Sequence, residues 1–190
     1  VSGVTTFSGG RRGPWRIVRN EVVMGPPLAP AARLAIGEAD PPPHAEVVWS
    51  LRGVASYERY VHRDERSRLD ASSPPLGRPA ATRAALIPIA KSDAWWVLPQ
   101  DARREIFEEQ SHHIATGLKY LPAVARRLYH GRDLGEPFDF LTWFEYAPPE
   151  TSAFEELVAM LRESVEWTFV EREVDIRLER DPRRPHQDHN

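Results

Sequence analysis

Cysteine is absent from the 190-residue chain. That removes disulfides, iron–sulfur clusters, thiolate zinc sites and a thiol nucleophile together. Lysine is almost absent too, with Lys91 and Lys119 against twenty-three arginines. Drift between two cationic residues is the ordinary explanation, and a retained lysine is only slightly favoured for work that needs a compact ammonium. No run of about 18 apolar residues occurs, so no membrane span is expected, and the N-terminus shows no basic start followed by an apolar core. The formal net charge of −3 leaves no basic face for nucleic acid. G-x-G-x-x-G, Walker, G-x-S-x-G and H-E-x-x-H patterns are all missing. The expectation is a soluble, cytoplasmic globular protein with hydrophobic content of 41%.

Proline is abundant, and seven of the 18 fall within the first 43 residues. Pro26 to Pro30 and Asp40 to Pro43 read as connections. Trp15–Met24 and Glu46–Val54 carry the β-branched content of strands, and Ala84–Ile89 predicts another that ends near Pro88 and Lys91. Asp101 is placed to cap a helix running towards Gly117. Ile106, Phe107, Ile114 and Leu118 recur along it at helical spacing, with Gln110, His113 and Gly117 on part of that side.

Arg126–His130 and Phe138–Tyr146 alternate as strands. On the first strand Arg126 and Leu128 face one way, and on the second Phe140, Thr142 and Phe144 share a face. Ser152 and Glu155 predict a capping box for a helix with a stripe of Phe154, Leu157, Val158, Leu161 and Val165. Trp167–Leu178 closes the pattern as a strand with Val170, Val174, Ile176 and Leu178 on one side. The order strand, helix, strand, strand, helix, strand is the ferredoxin-like plan. It divides the chain into a degenerate half over 1–80, a clearer half over 81–180 and a frayed tail over 181–190.

Several side chains invite chemistry, and each has an ordinary reading beside it. His113 can be a ligand to a flat cofactor against the helix or a core histidine bonded to a carbonyl. His112 lies about 100° away and cannot share its ion. Arg126 can face a site or a surface ion pair. Lys91 reads equally as a solvated strand end, Glu166 as an exposed helix-end carboxylate, and Tyr60 as unremarked. Trp95 and Trp96, if on a strand, face opposite ways.

The segments WSLRGVASYERY, AALIPIAKSDAWW, IFEEQSHHIATGLKYLPAVARRLYHGRDLGEPFDFLTWFEYAP and EWTFVEREVDIRL together resemble the chlorite dismutase family, from about Trp15 onward. The resemblance implies two ferredoxin-like halves in a dimeric α+β barrel, with haem b in the C-terminal half. It assigns His113 as the axial ligand of the haem iron and Glu166 as the carboxylate on the ligand's outer nitrogen. Lys91 joins that network, Trp95 packs beside the haem, and Tyr60 lies near a propionate. Trp96 is assigned to packing or an interface. Arg126 becomes the distal arginine, and Leu128, Thr142 and Phe144 line the distal pocket.

The implied reaction converts chlorite to chloride and dioxygen through a ferryl haem and a transient hypochlorite held by Arg126. The length fits the short, homodimeric lineage. Two other readings stay open: a coproheme decarboxylase of the same fold, and a haem-binding or sensing module without turnover. Decarboxylases of the fold characteristically carry glutamine where Arg126 stands.

Overall fold

The computed structural model describes residues 3–38, 46–55, 74–111, 113–120 and 122–180, apart from the side chains at 109, 113 and 114. Tyr60 and the tail from 181 therefore lie outside the described residues. Eight strands close a barrel: β1 (Val4–Gly10), β2 (Trp15–Met24), β3 (Arg33–Gly37), β4 (Val47–Ala55), β5 (Arg83–Lys91), β6 (Val124–His130), β7 (Phe140–Tyr146) and β8 (Val170–Arg180). Around the barrel they run β1-β3-β2-β8-β5-β7-β6-β4, with every paired neighbour antiparallel. The last four strands stand in the order fourth, first, third, second, and so do the first four across the closure.

Chain crossing in the first half is unusually tight. Residues 11–14 carry the chain from β1 to β2 over β3, and Gly13 lies directly against the backbone it crosses. A Cβ there would sit 2.2 Å from the Leu34 carbonyl oxygen, and φ is +144°. Only glycine meets both demands. The barrel closes between β4 and β6 with only two paired positions, Val54–His130 and Ala55–Tyr129. Arg52 reinforces that seam, donating from its backbone N and its Nε to Glu136 at 3.1 and 2.7 Å.

The barrel interior is filled, as a small closed barrel's must be. Phe7, Leu34, Leu51, Leu86, Leu141, Trp143 and Ile176 are buried within it. Phe7 meets Tyr129 edge-on at 5.1 Å, and Trp15 meets Trp143 at 5.2 Å. Any ligand of size must therefore lie on the outer face of the sheet, where a second core joins β5, β7 and β6 to the helices. Those are α1 (Asp93–Trp96), α2 (Gln100–Arg104), α3 (His113–Lys119) and α4 (Thr151–Arg162).

The strand expectations hold with small shifts, whereas several local details differ. Trp95 and Trp96 lie in helix α1 rather than a strand. Asp101 is the second residue of α2, and its carboxylate accepts from Ala102, so it caps nothing upstream. The expected long helix is broken by a π-helical turn over Glu105–Gln110. Ser152 makes no capping box, because α4 starts at Thr151 and Glu155 is drawn to Arg177 at 2.7 Å. Thr151 instead anchors the start, its hydroxyl donating to the Pro148 carbonyl at 2.7 Å. Val165 is 44% exposed and leaves the apolar stripe. Residues Val165–Phe169 form a 3-10 turn before β8 begins.

Val170 packs in the outer core, away from Val174, Ile176 and Leu178 in the barrel. A register shift between Ala90 and Lys91 inserts one extra residue into β8 and turns Val170 over. Pro88 is tolerated mid-strand because β5 pairs with β7 there, while the β8 ladder skips Ile87 and Pro88.

Helix α4 is docked by ions as well as by Phe154, Leu157, Val158 and Leu161. Arg162 reaches Glu173 at 2.6 Å and Asp175 at 2.8 Å, and Arg177 bridges Asp175 and Glu155. Burial alone would raise the Asp175 carboxyl, but hydrogen bonds and charge from Arg177 and Arg162 hold it below the usual range. Its contribution is thus present above the ordinary carboxylate pKa and lost as pH falls through the lowered one. Asp175→Asn should cost about 2 kcal/mol at neutral pH. The gap from wild type should close on acidification below about pH 3.9, followed by urea unfolding. A gap independent of pH would contradict this account.

Candidate functional site

The sheet's outer face carries most of the expected site residues in one patch. Arg126 pairs with Phe144, and Leu128 pairs with Thr142, so all four side chains emerge on the same side of β6 and β7. Paired across β5, Ala85 lies opposite Phe144 and Ile87 opposite Thr142. Coverage of this face is uneven. Ala85, Ile87, Phe140, Phe144 and Val124 are buried, whereas Arg126, Leu128 and Thr142 are only half-buried. The helical layer leaves an incompletely covered apolar stretch beside one guanidinium.

Helix α3 passes over this patch. A Cβ built on Gly117 would lie 3.7 Å from the Arg126 guanidinium carbon and 3.8 and 3.9 Å from its terminal nitrogens. Gly117 thus faces Arg126, and position 113 stands one turn earlier on the same face of the helix. The His113 side chain itself lies outside the described residues.

Lys91 and Glu166 form the ionic centre. Lys91 Nζ lies 2.5 Å from Glu166 Oε1, and the two residues are 5% and 3% exposed. The bulge at the end of β5 and the 3-10 turn Val165–Phe169 bring them together. Burial pushes the Lys91 ammonium below its ordinary pKa; the charge and hydrogen bond of Glu166, then the charge of Asp139, push back, and Arg103 adds to the lowering. The ammonium also sits 3.4 Å from the centre of the fully buried Trp95 ring. A desolvated cation over an aromatic face recovers part of its lost hydration. Trp95 in turn meets Phe169 at 5.5 Å.

Lys91 and Glu166 are therefore neither a solvated strand end nor an exposed helix end. Trp96 packs rather than facing the ionic pair. It stacks on Phe140 at 5.9 Å, lies under Arg132 at 4.0 Å, and donates its Nε1 proton to Asp139 at 3.3 Å.

Two residues missed from sequence hold this arrangement. Asp139 accepts from the Lys91 backbone N at 2.7 Å and from Arg132 at 3.1 Å, tying the end of β5 to the loop before β7. An acidic residue set between Phe138 and Phe140 is a faint sign of a buried carboxylate. Ser111 accepts from the Glu166 backbone N at 2.8 Å. No pattern in the sequence points to it. Among the described residues, no cluster of three or more histidine, aspartate or glutamate side chains is placed to hold a bare metal ion. No described helix is long and apolar enough to cross a membrane.

The fold and site define an α+β barrel with a polar centre buried between sheet and helices. The chlorite dismutase family model matches residues 35–179. The chain belongs to the chlorite dismutase family. The dimeric chlorite dismutase from Nitrobacter winogradskyi is 58% identical, with a TM-score of 0.86 over 93% of this chain and 99% of that one. A mutant chlorite dismutase from Candidatus Nitrospira defluvii, solved with cyanide, shares the fold at 20% identity and a TM-score of 0.67, over 96% of this chain and 93% of its own. Chlorite dismutase from Ideonella dechloratans is 31% identical over 104 residues, 54% of this chain. That match spans only 35% of the Ideonella protein.

Proposed function

We propose that the chain decomposes chlorite to chloride and dioxygen on a resident haem b, as a homodimer. The observation that carries this is the buried Lys91–Glu166 pair lying at one side of a half-covered apolar patch that displays Arg126. The remaining support is the family and the 58% identity to a dimeric chlorite dismutase. We read residues 1–80 and 81–180 as two ferredoxin-like halves; the strand order repeated in each supports this. Haem would be held by residues of the second half, from α3, β6 and β7.

The residues present fit that group. A flat apolar ring needs an apolar bed, which Leu128, Thr142 and Phe144 supply, and the half-exposure of the first two leaves a face to cover. His113 would hold the iron through its imidazole. Glu166 accepts the imidazole's outer N–H, fixing the tautomer and strengthening the ligand's donation. Lys91 balances the carboxylate's charge, which would otherwise be costly to bury. Trp95 packs alongside the haem, and Tyr60, outside the described residues, is assigned to a propionate.

When bound, haem would supply oxygen-atom-transfer chemistry at its iron. Arg126 would act on the substrate. It attracts the chlorite anion and then holds the hypochlorite fragment by charge-assisted hydrogen bonds. With apolar neighbours its field is weakly screened. Retention makes recombination faster than escape, after which chloride and dioxygen leave.

The direct test is dioxygen release from chlorite by the haem-loaded protein, followed with an oxygen electrode and a hypochlorite trap. One dioxygen and one chloride per chlorite are expected. A fully loaded sample that releases none rejects the reading, and coproheme with peroxide is then the substrate pair to try. Arg126→Ala should leave haem uptake near normal, slow turnover about tenfold and increase trapped hypochlorite. Unchanged turnover with no added leakage would remove the retention role.

A further inference from the structure

The 3-10 turn that presents Glu166 has an uncommon cap. At the start of any helical turn the first N–H groups have no partner within the turn, and a serine just before it normally supplies one. Ser164 occupies that place over Val165–Phe169 but makes no side-chain cap. Its hydroxyl donates instead to the Leu161 carbonyl at 2.6 Å. The Glu166 N–H is satisfied from another element, by Ser111 Oγ at 2.8 Å.

Ser111 reaches this place because of the π-helical turn before it. The Ser111 N–H bonds the Ile106 carbonyl five residues back, at 3.1 Å. The wider turn inserts one residue, which re-aims everything beyond it by about 100° relative to an uninterrupted α-helix. An unbroken helix from Gln100 would therefore point Ser111 elsewhere. The same insertion sets the phase of α3, which opens two residues later at His113. From the other side the turn is anchored by Trp167, whose Nε1 donates to Glu173 at 2.8 Å. Lys91 then fixes the end of the Glu166 side chain.

We propose that Ser111 is a positioning residue for the haem site, a cap supplied from the ligand-bearing segment that sets where the Glu166 carboxylate stands relative to position 113. This rests on the haem reading above. One hydroxyl ties the backbone of the carboxylate to the segment carrying the ligand, so the two move as a unit. Losing it leaves both residues in place but frees their spacing, which weakens the carboxylate's pull on the imidazole proton. A less donating imidazole stabilises ferric iron less.

The test compares Ser111→Ala, Ser111→Thr and Ser111→Val, since threonine and valine differ essentially in the hydroxyl alone. In haem-free protein, amide exchange at Glu166 should accelerate at least tenfold in the alanine and valine forms and stay near wild type in the threonine form. In loaded protein the haem Kd should rise about tenfold, in the range lost with outer-sphere partners of metal ligands. The ferric–ferrous midpoint potential should move to more positive values, with threonine restoring both. A purely structural role would lower Tm without moving the potential. If Ser111→Ala folds poorly, the threonine–valine comparison carries the same decision. Unmoved potential and haem Kd in Ser111→Ala or Ser111→Val, with wild type loading normally, overturn the role of Ser111 alone. Failure of wild type to take up one haem per chain overturns the haem reading and this proposal with it.

Discussion

Glu166→Gln should destabilise the protein by about 3 kcal/mol, the order seen when one partner of a buried ion pair is removed. For a chain of this size that corresponds to a fall in Tm of about 6 to 12 °C. The amide nearly preserves the shape of the side chain, so packing contributes little to the loss. What changes is the state of Lys91. Its ammonium is 5% exposed and already pushed down by burial, with Glu166 as the first of the charges opposing that push.

Without the carboxylate the folded-state pKa of Lys91 falls further, while in the unfolded chain it returns to about 10.4. Below the lowered pKa both states hold the proton, and the full cost of burying the charge remains. Between the two values the unfolded chain binds more protons, so stability rises with pH. The deficit of Glu166→Gln should therefore shrink as pH is raised towards the ordinary lysine range. Combining Lys91→Met with Glu166→Leu should recover most of the stability, because an apolar pair carries no desolvation cost. Urea unfolding across pH checks both statements. A deficit that grows with pH would mean that the buried lysine is not its source.

Much of the barrel was legible because its strands obey simple alternation. Period two alone groups Arg126 with Leu128 and Thr142 with Phe144; the register that sets them opposite one another comes from the fold. β1 and β3 were not expected as strands, and the other illegible features arise where a single residue is inserted. The extra residue in β8 opposite the step from Ala90 to Lys91 moves Val170 to the outer core, and the π-helical turn interrupts a helix whose 3.6-residue phase looked continuous. Both insertions lie beside the Lys91–Glu166 pair. Propensity and periodicity average over several residues, so one added residue leaves almost no trace in either. Its cost is local, and its effect is to re-aim the residues beyond it.

The charges were harder to place than the apolar residues for a related reason. Pattern alone favours solvent for Lys91 and Glu166, since each stands at the end of an element. What buries them is the meeting of two such ends, 75 residues apart in sequence, under Trp95 and against Asp139. Only the family resemblance linked them beforehand. The same reasoning explains Asp139 and Ser111, whose partners are backbone groups brought close by the fold. A side chain that serves a distant backbone N–H has no motif.

His113→Ala should abolish stable haem binding, raising the haem Kd by about a hundredfold or more, equivalent to about 2.8 kcal/mol. The structural basis is the phase of α3. Gly117 faces Arg126, and position 113 precedes it by one turn on the same face. The alanine form should keep its fold, since the site is fixed by Lys91, Glu166, Ser111 and Asp139 rather than by the imidazole. Added imidazole should then restore part of the haem affinity, because Glu166 stays positioned by Lys91 and Ser111. His112→Ala should bind haem as wild type does. Titration with haem, followed by absorbance with and without imidazole, separates the cases. A five-coordinate ferric spectrum that persists in His113→Ala and disappears in His112→Ala would move the ligand to the neighbouring residue.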